Sequence, residues 1–246
     1  MVATGTNKSI KKVGTNIEII DLIDLSVKTL LLKDPRADRF DAIGSLVQDQ
    51  PVIIGGSYGW GDERATQDGF IIGQHQSSLN LSQGRDRSAS VVLKENILFV
   101  TGGLGRIGNT GDLEDLNSME LISINGHIEH GPELPFTIYE HSMVKVTDNA
   151  VYMIGGCGQM KPEIPNGMFG GRTWKIDPTD NFKITEGPSL SSRRHSWWPK
   201  PACGQMKING RIFLVACGHW NSMGGNSIKL LNISLPNQSW IDGMKY

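Results

Sequence analysis

The sequence carries almost no net charge, few cysteines and no long apolar run, and each shortage closes off a class of function. With 24 Lys and Arg against 25 Asp and Glu, the net charge of −1 removes a bulk electrostatic case for nucleic acid or an anionic membrane. No apolar stretch approaches the roughly 20 residues of a membrane span, so no membrane insertion is expected. The opening residues Met1-Val2-Ala3-Thr4-Gly5 lack a basic segment followed by an apolar one and do not read as a secretory signal. The three cysteines, Cys157, Cys203 and Cys217, show no Cys-x-x-Cys spacing, which argues against a disulfide framework and a structural zinc site. A cytoplasmic location is expected on that ground. The Asn-x-Ser sequons at Asn7, Asn80, Asn232 and Asn237 make the extracellular space the alternative. An apolar stripe of helical period is also missing, so no helical layer is expected.

What the chain has in quantity is glycine, 30 residues of it, and the placement is periodic. Five short apolar strands end in a glycine-type turn: Val2-Ala3-Thr4-Gly5, Val52-Ile53-Ile54-Gly55-Gly56, Phe99-Val100-Thr101-Gly102-Gly103, Tyr152-Met153-Ile154-Gly155-Gly156 and Leu214-Val215-Ala216-Cys217-Gly218. Equivalent positions are 50, 47, 53 and 62 residues apart. A second anchor, an apolar residue three positions before a turn residue, recurs at Leu31/Asp34, Leu81/Gly84, Ile128/Gly131, Ile184/Gly187 and Trp240/Gly243, with spacings of 50, 47, 56 and 56. A period near 50 residues is that of a propeller array, whose repeats shelter one another's faces.

Within a repeat the order reads as four strands, A to D. In the third repeat they are Ala89 to Leu93, Ile97 to Thr101, Met119 to Ile124 and His127 to His130, with Asn125-Gly126 as a hairpin turn between C and D. The fourth repeats this with Met143 to Val146, Val151 to Ile154, Thr173 to Ile176 and Phe182 to Thr185. The expected fold is all-β, with four-stranded antiparallel blades over repeats of approximately 1–35, 36–85, 86–135, 136–190 and 191–246. The first repeat lacks its strand A. An array left open in this way exposes an edge and a blade face, so the chain reads as a fragment of a six-bladed propeller, or as one that closes imperfectly.

At these residues the chain resembles the kelch-repeat β-propellers. The resemblance rests on the apolar run ending in Gly-Gly, on the His-Ser pair opening strand A (His141-Ser142, His195-Ser196), on Trp240-x-x-Gly243 and on the linker Gly131-Pro132-Glu133-Leu134-Pro135. Cys217 and Thr6 stand where glycines would recur, and Trp occurs at the strand D position in the fifth repeat only. The resemblance implies four-stranded blades around a central channel and a protein-binding role. Propellers of that family serve as substrate-recognition modules of ubiquitin-ligase adaptors or bind actin. No BTB-like region is read here, so the expected role is the coarser one of a protein-interaction scaffold.

In an up-and-down meander the B–C and D–A loops share one rim. The B–C loops are long and carry rigid aromatic side chains, Tyr58, Trp60 and Trp220 among them. The D–A loops carry a recurrent basic element: Arg36 and Arg39, Arg85 and Arg87, Arg193 and Arg194. The remaining one, Phe136 to Glu140, has none. These residues are the expected binding set, with a protein or an acidic peptide as partner, since guanidinium groups take carboxylates in bidentate fashion. The competing reading gives each arginine the task of ordering a blade junction through backbone carbonyls.

No catalytic residue, metal or cofactor is assigned. His141 and His195 occupy equivalent repeat positions, which marks them as structural. Cys217-Gly218-His219 has no second Cys/His pair at ligand spacing. Gly102 to Gly108 follows a strand but opens no helix, and no Gly-Lys-Ser/Thr is present, so the phosphate-loop reading fails. The four tyrosines and three cysteines form no set suited to a copper-radical oxidase. The chain is therefore expected not to be an enzyme. The alternative is a sialic-acid mutarotase of kelch type, for which rim arginines and carboxylates suffice.

Overall fold

The computed structural model of the protein describes residues 8–13, 16–21, 26–31, 39–48, 50–58, 65–71, 77–106, 113–159, 171–190, 201–217, 228–235 and 238–243. The chain divides into two units, Met1–Glu133 and Leu134–Tyr246. Every strand pairing in both is antiparallel.

The first unit opens with β1 (Lys8–Val13), β2 (Asn16–Asp21) and β3 (Val27–Leu31), a three-stranded meander. The ending at Val2 to Gly5 lies outside the described residues. Next come β4 (Ile43–Val47), β5 (Gln50–Ile54), β6 (Asp68–Ile71) and β7 (Ser77–Asn80), a four-stranded sheet in chain order. The chain continues through β8 (Arg85–Asp86), β9 (Ala89–Val92), β10 (Leu98–Thr101), β11 (Leu104–Arg106), β12 (Leu113–Asp115), β13 (Met119–Ile122) and β14 (Ile128–His130). Of these, β9, β10, β13 and β14 make the second four-stranded sheet, while β8, β11 and β12 form a small separate one. The second unit holds β15 (Ser142–Thr147), β16 (Ala150–Ile154), β17 (Thr173–Asp177) and β18 (Lys183–Glu186) in one sheet, and β19 (Ala202–Ile208), β20 (Arg211–Cys217), β21 (Ile228–Asn232) and β22 (Trp240–Asp242) in another. The A-to-D order expected for the third and fourth repeats is therefore observed.

Strand composition explains the layering. The second strands β5, β10 and β16 are largely runs of β-branched, aromatic and long apolar residues buried on both faces, while β20 is buried at Leu214 and Ala216 alone. Alternation then divides the two faces. Val52 and Ile54 of β5 join Leu98 and Val100 of β10 in one cluster with Ile43, Ile71 and Ile122, so the two four-stranded sheets of the first unit pack face to face. In the second unit Val144, Tyr152 and Ile154 meet Leu214, Ala216 and Leu231 in the same manner. The fourth strands β14, β18 and β22 are mostly exposed. First strands of successive sheets lie side by side, β4 with β9 and β15 with β19. Sheets that stack on their faces and converge on their first strands have the arrangement of propeller blades.

Candidate functional site

In each unit a rim is assembled by backbone pairing between the connection that enters a sheet and the residue after its Gly-Gly turn. Phe40 N donates to Ser57 O at 2.8 Å and Ser57 N returns the bond at 2.9 Å. Tyr139 and Cys157 exchange the same two bonds, both at 2.8 Å. In the third repeat the pairing extends to Leu104 with Asp86 and Gly105 with Arg85. The D–A and B–C loops do share a rim. Glycine makes this approach possible. Gly56, Gly103 and Gly156 have φ of 90°, 103° and 95°, and an added Cβ would lie 2.6, 2.6 and 2.8 Å from the carbonyl oxygens of Phe40, Asp86 and Tyr139.

Two of the rim arginines named from the sequence turn inward. Arg39 and Arg85 hold equivalent positions, one residue before the paired Phe40 and Asp86. Arg39 Nη1 donates to Gly55 O at 3.0 Å, to Thr66 Oγ1 at 2.9 Å and to Asp68 O, and Nη2 meets the Asp68 carboxylate at 2.7 Å. Arg85 Nη1 donates to Gly102 O at 2.8 Å and Ser118 O at 3.4 Å, and Nη2 to Ser118 Oγ at 3.0 Å and to the Glu120 carboxylate. Both side chains of the Arg85–Glu120 pair are fully buried. Burial pushes the Arg85 guanidinium below its ordinary value, and Glu120 opposes that fall by charge and hydrogen bond. Glu120 also accepts from Ser82 N at 2.8 Å, on the sheet before. In both repeats the guanidinium therefore satisfies the carbonyl of the first turn glycine and locks it to the third strand, as the blade-junction reading holds. In the fourth repeat Ile138, fully buried, takes this position.

Tyr58 is half-buried. Arg39 lies 5.3 Å from its ring centroid, 5.0 Å from that of Phe70, and 3.3 Å from the Tyr58 hydroxyl. Arg87 is the expected arginine that reaches the surface among the described residues. Its Nε lies 3.5 Å from Asp41 Oδ2, with the two side chains 38% and 34% exposed, and its backbone N donates to Asp41 O at 3.1 Å. Phe40, beside Asp41 in the chain, is 41% exposed. Arg36, Trp60, Arg193, Arg194 and Trp220 lie outside the described residues, as do His195 and Ser196. Sequence reasoning did not single out Asp41, Phe40 or Glu120. Alignment of the residue two before each first strand would have found Asp41, since Asp41, Arg87 and Glu140 occupy it in turn.

Other reactive groups are masked by burial. His141 is buried, and desolvation pushes it down to about 3. Burial pushes the Cys203 thiol up to about 12, away from a thiolate. Among the described residues no group of three or more His, Cys, Asp or Glu is placed to hold a metal ion. No described helix is long and apolar enough to cross a membrane.

These features define a chain of antiparallel propeller-type blades with a polar rim. No family model matches the sequence. No curated protein matches it either. Among solved structures the chain is similar to that of YjhT, with a TM-score of 0.71 and 14% identity, covering 99% of this chain and 82% of YjhT. At that identity the likeness speaks to the fold, four-stranded antiparallel sheets consistent with kelch-like propeller blades, and not to the chemistry. The expectation that the chain is not an enzyme is corrected to this extent: YjhT, which shares the fold, is a kelch-type sialic-acid mutarotase, so the fold gives no ground for excluding catalysis.

Proposed function

We propose that the chain is a sugar-binding enzyme of the kelch mutarotase kind, exchanging the anomers of a carboxylate-bearing monosaccharide such as sialic acid. The observation that supports this reading is the fold shared with YjhT over 99% of the chain, together with a guanidinium presented at the loop rim. Arg87 is the anchor. Its planar fork suits a sugar carboxylate, and its Nε stands 3.5 Å from Asp41 Oδ2 as an ion pair and not as a hydrogen bond. The exposed Phe40 ring offers an apolar face on the same rim. Anomer exchange opens and recloses the ring C–O bond with proton transfer and no redox change, so groups that move protons supply the catalysis it needs.

The test is anomer exchange of N-acetylneuraminic acid followed by proton NMR after dissolving one crystalline anomer. The expected result is a rate well above the spontaneous one, and an Arg87→Ala variant that folds normally but needs at least tenfold more sugar to reach it. A purified, folded protein that leaves the spontaneous rate unchanged would overturn the reading. A second reading, a rim that takes a protein or an acidic peptide, rests on Phe40 lying exposed on the same rim as Arg87. A peptide affinity that survives Arg87→Ala would dismiss it.

A further inference from the structure

Eight residues other than glycine have positive φ, and they fall into two groups. Gln48, Asn96, Asn181, Phe182 and Asn209 lie in the short turns between β4 and β5, β9 and β10, β17 and β18, and β19 and β20. There the left-handed conformation closes a hairpin and needs no other explanation. Asp41, Arg87 and Glu140, with φ of 52°, 51° and 55°, lie instead on the D–A connections, two residues before β4, β9 and β15. The backbone demands this conformation in three successive repeats. Glycine is the residue that meets the demand without strain, and this glycine-rich chain uses it in the turns that follow the second strands, at Gly55, Gly56, Gly102 and Gly103. At the D–A position it keeps long or charged side chains in a conformation that disfavours them. Strain retained at the equivalent position of three repeats, and absent without a hairpin cause elsewhere among the described residues, marks side chains kept for what they do.

We infer that Asp41 is the proton-transfer residue of the rim, with Arg87 as its positioning partner. This inference rests on the mutarotase reading. Arg87 meets Asp41 at two points, its backbone N–H donating to the Asp41 carbonyl oxygen at 3.1 Å and its Nε forming an ion pair with the carboxylate at 3.5 Å, so the carboxylate stands beside the group that anchors the sugar. Asp41 takes the proton of the anomeric hydroxyl as the ring C–O bond breaks and its electron pair passes to the ring oxygen. The same carboxyl group then hands that proton to the ring oxygen, leaving an open-chain carbonyl sugar. Rotation about the adjacent C–C bond and reversal of these steps close the ring on the opposite face. No proton, electron or co-reactant is gained or lost.

Asp41→Asn is the test, because Asn has nearly the same shape and tolerates the left-handed conformation at least as well. The expected result is a kcat for anomer exchange lowered by about 100-fold, with KM within about threefold and Tm within about 2 °C of the native protein. Native kcat in the folded variant would overturn the inference and leave the mutarotase reading standing. A fall in Tm that accompanies the loss of kcat would assign Asp41 a structural role and overturn it as well. Failure of the native protein itself to speed exchange removes the reading, and the inference with it.

Discussion

Arg85 shows how one side chain separates two roles that the sequence leaves open. An arginine in a D–A loop reads equally as a binding cation or as a peg for carbonyls. Here its guanidinium is fully buried against Glu120, Ser118 and Gly102, so a charge change at Arg85 tests the blade and not the rim. Arg85→Ala leaves the Glu120 carboxylate buried without its cation and is expected to cost about 3–5 kcal/mol in urea unfolding. The double variant Arg85→Met, Glu120→Leu removes both charges but leaves Ser82 N–H without its 2.8 Å acceptor, so it is expected to recover most of that loss and stay about 1–3 kcal/mol below native. A double variant no more stable than Arg85→Ala would contradict this account. His141 carries a second prediction. Burial lowers it from 6.5 to about 3. As pH falls through 6.5 the unfolded chain takes up a proton that the folded chain refuses, so this residue subtracts stability progressively between pH 6.5 and about 3. Below that, both states are protonated and the loss stops growing. His141→Gln is expected to flatten the stability profile over this window by up to about 1.4 kcal/mol per pH unit, read by urea midpoints at stepped pH. An unchanged slope would refute the buried neutral imidazole.

At the scale of the element, strands were legible where period and punctuation agree. Asn125-Gly126 closes β13 onto β14, with Gly126 N bonded to Ser123 O at 2.9 Å and φ of 86° at Gly126. The Gly-Gly endings mark the ends of β5, β10 and β16 because carbonyl oxygens of Phe40, Asp86 and Tyr139, with side-chain atoms of Ala42, Ser88 and His141, fill the space a Cβ would need. The hairpin of β11 and β12 was not legible. Leu104-Gly105-Arg106 and Leu113-Glu114-Asp115 are three residues each, too short to show alternation, and their stability comes from β8 across the sheet rather than from local preference. The candidate site was half legible for a related reason. Arg87 was visible as one of a series of arginines. Its division from Arg85, two residues away, depends on the chain leaving β8 for the left-handed conformation at Arg87 and on the acceptors at Gly102 and Glu120, which come from elsewhere in the chain. Asp41 carries no local signature because its left-handed conformation is imposed by the pairing of Phe40 with Ser57.

For the molecule as a whole, the period near 50 residues foretold that sheets would shelter one another, and the two face-to-face clusters are that shelter. Among the described residues, both clusters draw on two sheets each. Each sheet contributes one layer of alternate residues, and the free energy of burial belongs to the pair. Stability is then carried by neighbour interfaces, and damage to one layer must be felt in the next. Leu214 of β20 is fully buried against Val144, Tyr152 and Ile154 of the preceding sheet. Leu214→Ala removes about 2–5 kcal/mol by lost transfer energy and residual cavity. Hydrogen exchange locates the effect. Protection is expected to fall in β15 and β16 as well as in β19 to β21, although the substitution lies in one sheet alone, while Ile208→Ser at the exposed end of β19 leaves both sets unchanged. A loss confined to β19 to β21 would mean that the fifth-repeat sheet stands by itself and that face-to-face packing does not carry this half of the chain.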